Sequence, residues 1–223
     1  MESVLENCSD RKRKTLLAAM EVFLDKRYDC TSMDDVAARA AVSKPTLYKY
    51  FSDKEPLFAE IVRATIGEID DLERLVAASI AGETSVESGL FVLARRLIGV
   101  LMQPRILRLH RLVMANAERF PDVGRNWYEQ SFEHVLATLA INFQGLANRE
   151  LLHIDDPLLA ANHFVGMLMW IPINKAMSTG DNSSSPEELE LYAVAAVRAF
   201  LAGYGPTSRS AIGENGDLKH EAK

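Results

Sequence analysis

Val42 to Lys54 read VSKPTLYKYFSDK, and this stretch decides the fold. Ser43 is a strong helix N-cap, and Pro45 falls in the first turn, where a missing N–H costs little. At about 100° per residue, Leu47 and Phe51 share one side of the short helix that follows. Pro45, Thr46 and Lys49 share the other side, with Tyr48 and Tyr50 on the flanks. That free side presents hydroxyl, ammonium and phenol groups. Thr and Lys can reach base edges in a DNA groove, and Tyr and Lys can bind phosphates. A merely solvated face gains nothing from two tyrosines on so short a helix.

The elements on either side agree. Residues 11–28 read as a helix with Leu16, Ala19, Met20 and Phe23 in one apolar stripe. Ser32 caps a second helix, and Asp35 stands three places on with the spacing of a capping box. Met33, Val36, Ala37 and Ala40 repeat the stripe. Asp53 caps a fourth, longer helix that carries Lys54, Glu55 and Pro56 in its first turn. Three short helices, the last two joined by a tight turn, form a helix-turn-helix.

The run RKRKTLLAAMEVFLDKRYDCTSMDDVAARAAVSKPTLYKYFSDKEPLF, residues 11–58, resembles the signature of the TetR/AcrR family, and Val42–Lys54 matches it without a gap. The resemblance implies an all-α protein of nine or ten helices. An N-terminal helix-turn-helix DNA-binding domain is joined by a long helix to a helical-bundle domain for ligand binding and dimerisation. By resemblance, the base and backbone contacts fall on Lys44, Pro45, Thr46, Tyr48, Lys49 and Tyr50. A phosphate contact falls on Lys54, and the cap of helix two on Ser32. Two positions depart from the pattern: Arg27, after helix one, and Ala41, between helices two and three, stand where the family usually has glycine. A β-carbon at a positive φ costs about 1 kcal/mol, so either the turns differ or the head is strained. Asp34 stands where a cation would favour phosphate.

Charge is distributed as that architecture requires. The net charge is −6, but residues 11–54 carry ten Lys/Arg against six Asp/Glu, and residues 55–223 carry 15 against 22. A basic block on an acidic body is the footprint of a DNA-reading module joined to something that does not touch DNA.

The remainder reads as helices over 54–81, 84–101, 105–119, 122–146, 156–178 and 187–203. They are separated by Gly82, Pro104, Pro121, Gly145, Pro157 and the loop GDNSSSPEE. Domain limits are expected at 1–9 (tail), 10–56 (DNA-binding head), 57–205 (effector and dimerisation domain) and 206–223 (a polar, glycine-rich tail read as disordered). The stretch VMANAERFPDVGRNWYEQ, residues 113–130, resembles the AefR-like type of TetR-family effector domain. It implies a cavity among the central helices and a dimer interface formed as a four-helix bundle by the last two. His110, Met114, Asn116, Trp127, Phe132, Phe143, His163, Met167 and Trp170 are the candidate pocket residues, being aromatic, thioether or polar groups on apolar helices. Residues 158–173, LLAANHFVGMLMWIPI, are apolar around most of a helix and so need covering twice. Leu159, Gly166, Val194, Val197, Phe200 and Leu201 are the candidate interface.

Catalytic, metal and cofactor sites are not expected. HExxH, CxxC, GxSxG and Gly-rich phosphate loops are absent from the sequence. Glu150 and His153 form one Glu-x-x-His, where a di-metal bundle needs two. The longest apolar run, 164–173, is too short to span a bilayer, and the first ten residues lack the apolar segment of a signal peptide. A cytoplasmic protein without a membrane partner is therefore expected, with Cys8 and Cys30 as reduced thiols. The expected function is a homodimeric repressor, released from a pseudopalindromic DNA operator by a small hydrophobic effector. An activator of the same fold shares every one of these features. A helical carrier of hydrophobic ligands with a vestigial head is the other alternative, and the complete set Lys44, Thr46, Tyr48, Lys49, Tyr50 and Lys54 argues against it.

Overall fold

The computed structural model describes residues 10–66, 85–181 and 184–206. Those residues are helical, with no strand among them. The head comprises α1 (Asp10–Cys30), α2 (Met33–Arg39), α3 (Lys44–Tyr50) and the start of α4 (Lys54–Ile66). The body comprises α5 (Val86–Leu101), α6 (Pro104–Met114), α7 (Pro121–Tyr128), a π-helical turn (Glu129–Glu133), α8 (His134–Asn148), α9 (Pro157–Thr179) and α10 (Pro186–Tyr204). The expected span 54–81 is helical to Ile66, and its remainder lies outside the described residues, as do both expected tails, Cys8 and the middle of the GDNSSSPEE loop.

Capping explains most of the boundaries. The Ser32 hydroxyl accepts from the Asp35 N–H, and the Ser32 N–H donates to the Asp35 carboxylate at 3.0 Å, closing a capping box. Ser185 and Glu188 close another at the start of α10. Asp156 caps α9, which ends at Gly180 in the left-handed conformation with φ 73°. Two boundaries differ from expectation. α6 stops at Met114 instead of 119: residues 115–119 form turns, and Phe120, before Pro121, leaves helical geometry at φ −125° and ψ 68°. Gly145 ends nothing: α8 continues to Asn148, and Glu150 takes the positive φ that closes it.

Two apolar cores result among the described residues. One gathers Leu16, Met20, Phe23, Val36, Leu47, Leu57, Phe58 and Ile61 of the head, but it also takes Leu109 and Leu112 of α6, Phe120, and Trp127 of α7. Packing is thus continuous from the head into the body. The other joins α5, α8, α9 and α10 around the rings of Phe143, Phe164 and Phe200. Each of these fully buried side chains contributes about 1.5–3 kcal/mol by leaving water. Two ion pairs bind head to body at the surface, Arg108 to Asp25 at 2.7 Å and Arg119 to Asp29 at 2.6 Å.

Candidate nucleic-acid interface and ligand cavity

α3 is held by one buried side chain and one cap. Leu47 is completely buried and Phe51 nearly so, while Ser43 accepts from the Thr46 N–H at 3.3 Å. Lys44, Pro45, Tyr48 and Lys49 are therefore left exposed along the opposite side. The exposed cations differ in what they touch. Lys44 donates to Asp34 at 2.6 Å, so Asp34, on α2, neutralises one charge of the reading helix. Lys49 has no acceptor among the described residues and offers an unshared positive charge. Thr46 shares a 2.8 Å hydrogen bond with Ser43, and Tyr50 is half-buried, packed edge-on against Phe51. Ser32 is exposed, its hydroxyl engaged with Asp35.

Lys54 is placed less simply than a phosphate-binding lysine. Its ammonium donates to the carbonyls of Tyr28 at 2.9 Å and Thr31 at 3.0 Å, and lies 4.4 Å from the centre of the Tyr28 ring. It therefore pins the end of α1 to the start of α4. The Arg119 guanidinium also lies over the Tyr28 ring, 5.1 Å from its centre, and burial pushes the phenol pKa up despite that positive charge. The sequence reading missed Tyr28 because an aromatic at a helix end is equally consistent with ordinary packing.

The nine candidate pocket residues separate into four groups. His110, Trp127 and Phe132 meet, with ring centres 6.2 Å (His110–Trp127) and 5.6 Å (His110–Phe132) apart. They line a cavity of about 250 Å³ whose wall also includes Ile106, Ser131 and Met169. Met114 and Asn116 instead line a groove of about 550 Å³ between α1 and α6, beside Arg27, Arg108 and Arg111. Phe143 is wholly buried among Phe164 and Phe200, away from the cavity. His163 bonds the Tyr204 hydroxyl at 2.6 Å near the surface, and Met167 and Trp170 point outward from α9. Of the interface candidates, Leu159 and Gly166 are exposed and Val194 and Leu201 half-buried, whereas Val197 and Phe200 belong to the protomer's own core. Gly166 also borders the cavity. Helical period identifies stripes but not which neighbour each stripe meets, and α9 is apolar nearly all round, so its faces could not be told apart.

Within the cavity, burial and the neighbouring Arg111 charge hold the His110 pKa below its ordinary value, so the imidazole is neutral near pH 7. Ser131 lies on the π-helical turn, which has no sequence signature and kept it hidden.

A helix-turn-helix head with an outward cationic helix, continuous with a cavity-bearing helical body, defines a DNA-binding transcription regulator. Residues 16–61 match the family described as bacterial regulatory proteins, tetR family. Residues 88–206, more than half of the chain, match the family described as AefR-like transcriptional repressor, C-terminal domain. The chain belongs to the TetR family of transcriptional regulators. A TetR-family regulator of known structure from Mesorhizobium loti is 49% identical, with TM-score 0.82 over 87% of this chain and 96% of that one. The flavonoid-responsive regulator FrrA is 28% identical, with TM-score 0.66 over 88% and 98%. The transcriptional activator FasR of Mycolicibacterium smegmatis is 40% identical over 60 residues, a match that spans 27% of this chain and 27% of FasR. Among the described residues no helix is long and apolar enough to cross a membrane.

Proposed function

We propose that this chain is a homodimeric repressor, released from a pseudopalindromic operator when a small hydrophobic effector occupies the cavity beside Trp127. One observation carries the coupling. Trp127 lies in the head core with Phe58 and Ile61 of α4, and the same side chain lines the cavity. A ligand that displaces Trp127 therefore pushes on α4, which carries the head. The dimer presents two α3 helices about 34 Å apart, one turn of B-DNA. Tilting α4 changes that spacing, and the typical coupling between two such sites is about 1–3 kcal/mol. Lys44, Pro45, Thr46, Tyr48, Lys49 and Tyr50 read or grip the duplex in this scheme, with Ser32 and Lys54 at its edge.

The repressor reading is supported by the AefR-like repressor domain over residues 88–206, and ligand response by FrrA, a flavonoid-responsive protein of the same fold. FasR, 40% identical over 60 residues, is an activator, so the direction of regulation is read from transcription and not from the head. The test is selection of duplexes from a random pool by the purified protein at near-physiological salt, followed by transcription from a promoter carrying the selected site. An enriched pseudopalindrome and lowered transcription support the proposal. Raised transcription replaces repressor by activator, and a folded dimer that enriches nothing returns the chain to the ligand-carrier alternative.

A further inference from the structure

We propose that the cavity takes an uncharged one- or two-ring compound carrying a hydrogen-bonding oxygen, held by the Trp127 indole N–H and the Ser131 hydroxyl against a wall of rings. This deepens the ligand-responsive reading above and rests on it.

Two buried polar atoms point to the oxygen. Trp127 is 4% exposed and Ser131 8%, and neither Nε1 nor Oγ has a partner among the described residues. An indole N–H can only donate, and a serine hydroxyl donates or accepts. Buried groups of this kind are hydrogen-bonded in the great majority of proteins. Both residues line the same cavity, four positions apart in the chain, and a ligand oxygen held there is the partner that the described residues do not supply.

Ring chemistry follows from the wall. His110 touches both Trp127 and Phe132, and Tyr128 stacks on Phe132 at 6.0 Å. Four rings in a continuous surface favour a planar partner stacked or set edge-on. The volume of about 250 Å³ equals about eight water volumes, enough for one or two rings. The described wall holds no carboxylate, ammonium or guanidinium: its polar groups are the Trp127 indole, the Ser131 hydroxyl, the Tyr128 phenol, the Asn162 amide and the His110 imidazole, which burial keeps neutral. They solvate a phenol or carbonyl, whereas a carboxylate would give up water without gaining a counter-charge. The π-helical turn is a further sign. Such turns occur mostly at functional sites, and this one carries both Ser131 and Phe132 into the wall.

Calorimetric titration of the full-length protein with 2-naphthol, 2-naphthoate and octanoate tests the assignment. The expected result is one 2-naphthol per protomer, bound at least tenfold tighter than either anion. Ser131→Ala and Trp127→Phe should each weaken 2-naphthol by about three- to tenfold, the size of one neutral hydrogen bond. Ser131→Ala removes only an unpaired hydroxyl and should keep the unfolding midpoint. Anions that bind as tightly as 2-naphthol overturn the proposal, as does 2-naphthol affinity unaffected by Ser131→Ala, or a folded protein that binds none of the three. Release of the selected duplex is measured in parallel. Bound 2-naphthol with DNA retained upholds the ligand assignment and sinks the release mechanism. Release by octanoate without 2-naphthol binding sinks the assignment and upholds the mechanism.

Discussion

Arg27 and Ala41 adopt φ of 65° and 51°, the left-handed region that glycine enters freely and other residues enter at a cost. The sequence left open whether these turns differ from the family pattern or are strained; the positive φ at both residues is the strained outcome. Ala41 has φ 51°, within the left-handed range, so Ala41→Gly should stabilise the protein by about 1 kcal/mol. Arg27, with ψ 165°, occupies a region almost confined to glycine, where the cost is about 1–3 kcal/mol. Arg27→Gly should therefore gain more than Ala41→Gly in urea unfolding, and an equal or smaller gain would show that side-chain contacts of Arg27 offset its strain. His110 makes a second prediction at this scale. Its folded pKa lies below the ordinary 6.5, so the unfolded chain takes up a proton more readily. The stabilisation is present above 6.5 and is lost as pH falls from there through the folded pKa. Thermal midpoints between pH 7.5 and 5.5 should drop more steeply for the native protein than for His110→Gln; parallel curves would mean that His110 is not the group responsible.

Among elements, α3 and α4 assign different work to two lysines that look alike in sequence. Lys49 projects from the reading helix with an unshared charge, whereas the Lys54 ammonium closes two carbonyls at the end of α1. Lys49→Ala should leave the unfolding midpoint unchanged and shift the preferred duplex sequence. Lys54→Ala should lower the midpoint, since hydrogen bonds from a charged donor contribute about 1.5–3 kcal/mol, and weaken all duplexes alike. Competition binding with a panel of single-base variants, paired with thermal unfolding, distinguishes the two, and identical behaviour would remove the distinction. The helix-turn-helix was legible because its signals are local: a cap at Ser43, a stripe through Leu47 and Phe51, a capping box at Ser32. The cavity was legible only in part. Trp127, His110 and Phe132 stood out by residue type, but Ser131 reaches the wall through a π-helical turn that leaves no periodic trace. Phe143 and Phe200 have the chemistry of pocket and interface residues, yet they point at each other. That choice depends on the relative rotation of α8 and α10, which no stripe encodes.

At the scale of the molecule, the outer side of α9 remains to be covered. Leu159, Met167 and Trp170 stand at i, i+8 and i+11, within one face, and are 50%, 43% and 69% exposed; Leu191 on α10 is 66% exposed. Large apolar groups gathered in this way mark an association surface, and a second copy related by a two-fold axis covers both helices with the same residues. Trp170→Glu places a charge in that face at a position open to water in the protomer, so its fold should persist with a thermal midpoint close to that of the parent. Sedimentation at micromolar concentration should then show a monomer. Under the proposed function the loss should extend to DNA, because two tethered heads hold a full site more tightly than either head holds its half-site. Separation removes an effective-concentration advantage of about 10²–10⁴ on a full pseudopalindrome, and removes nothing on an isolated half-site. A Trp170→Glu protein that still sediments as a dimer would displace the interface from this face. A monomeric variant with undiminished affinity for the full site would instead show that the two heads do not read DNA as a pair.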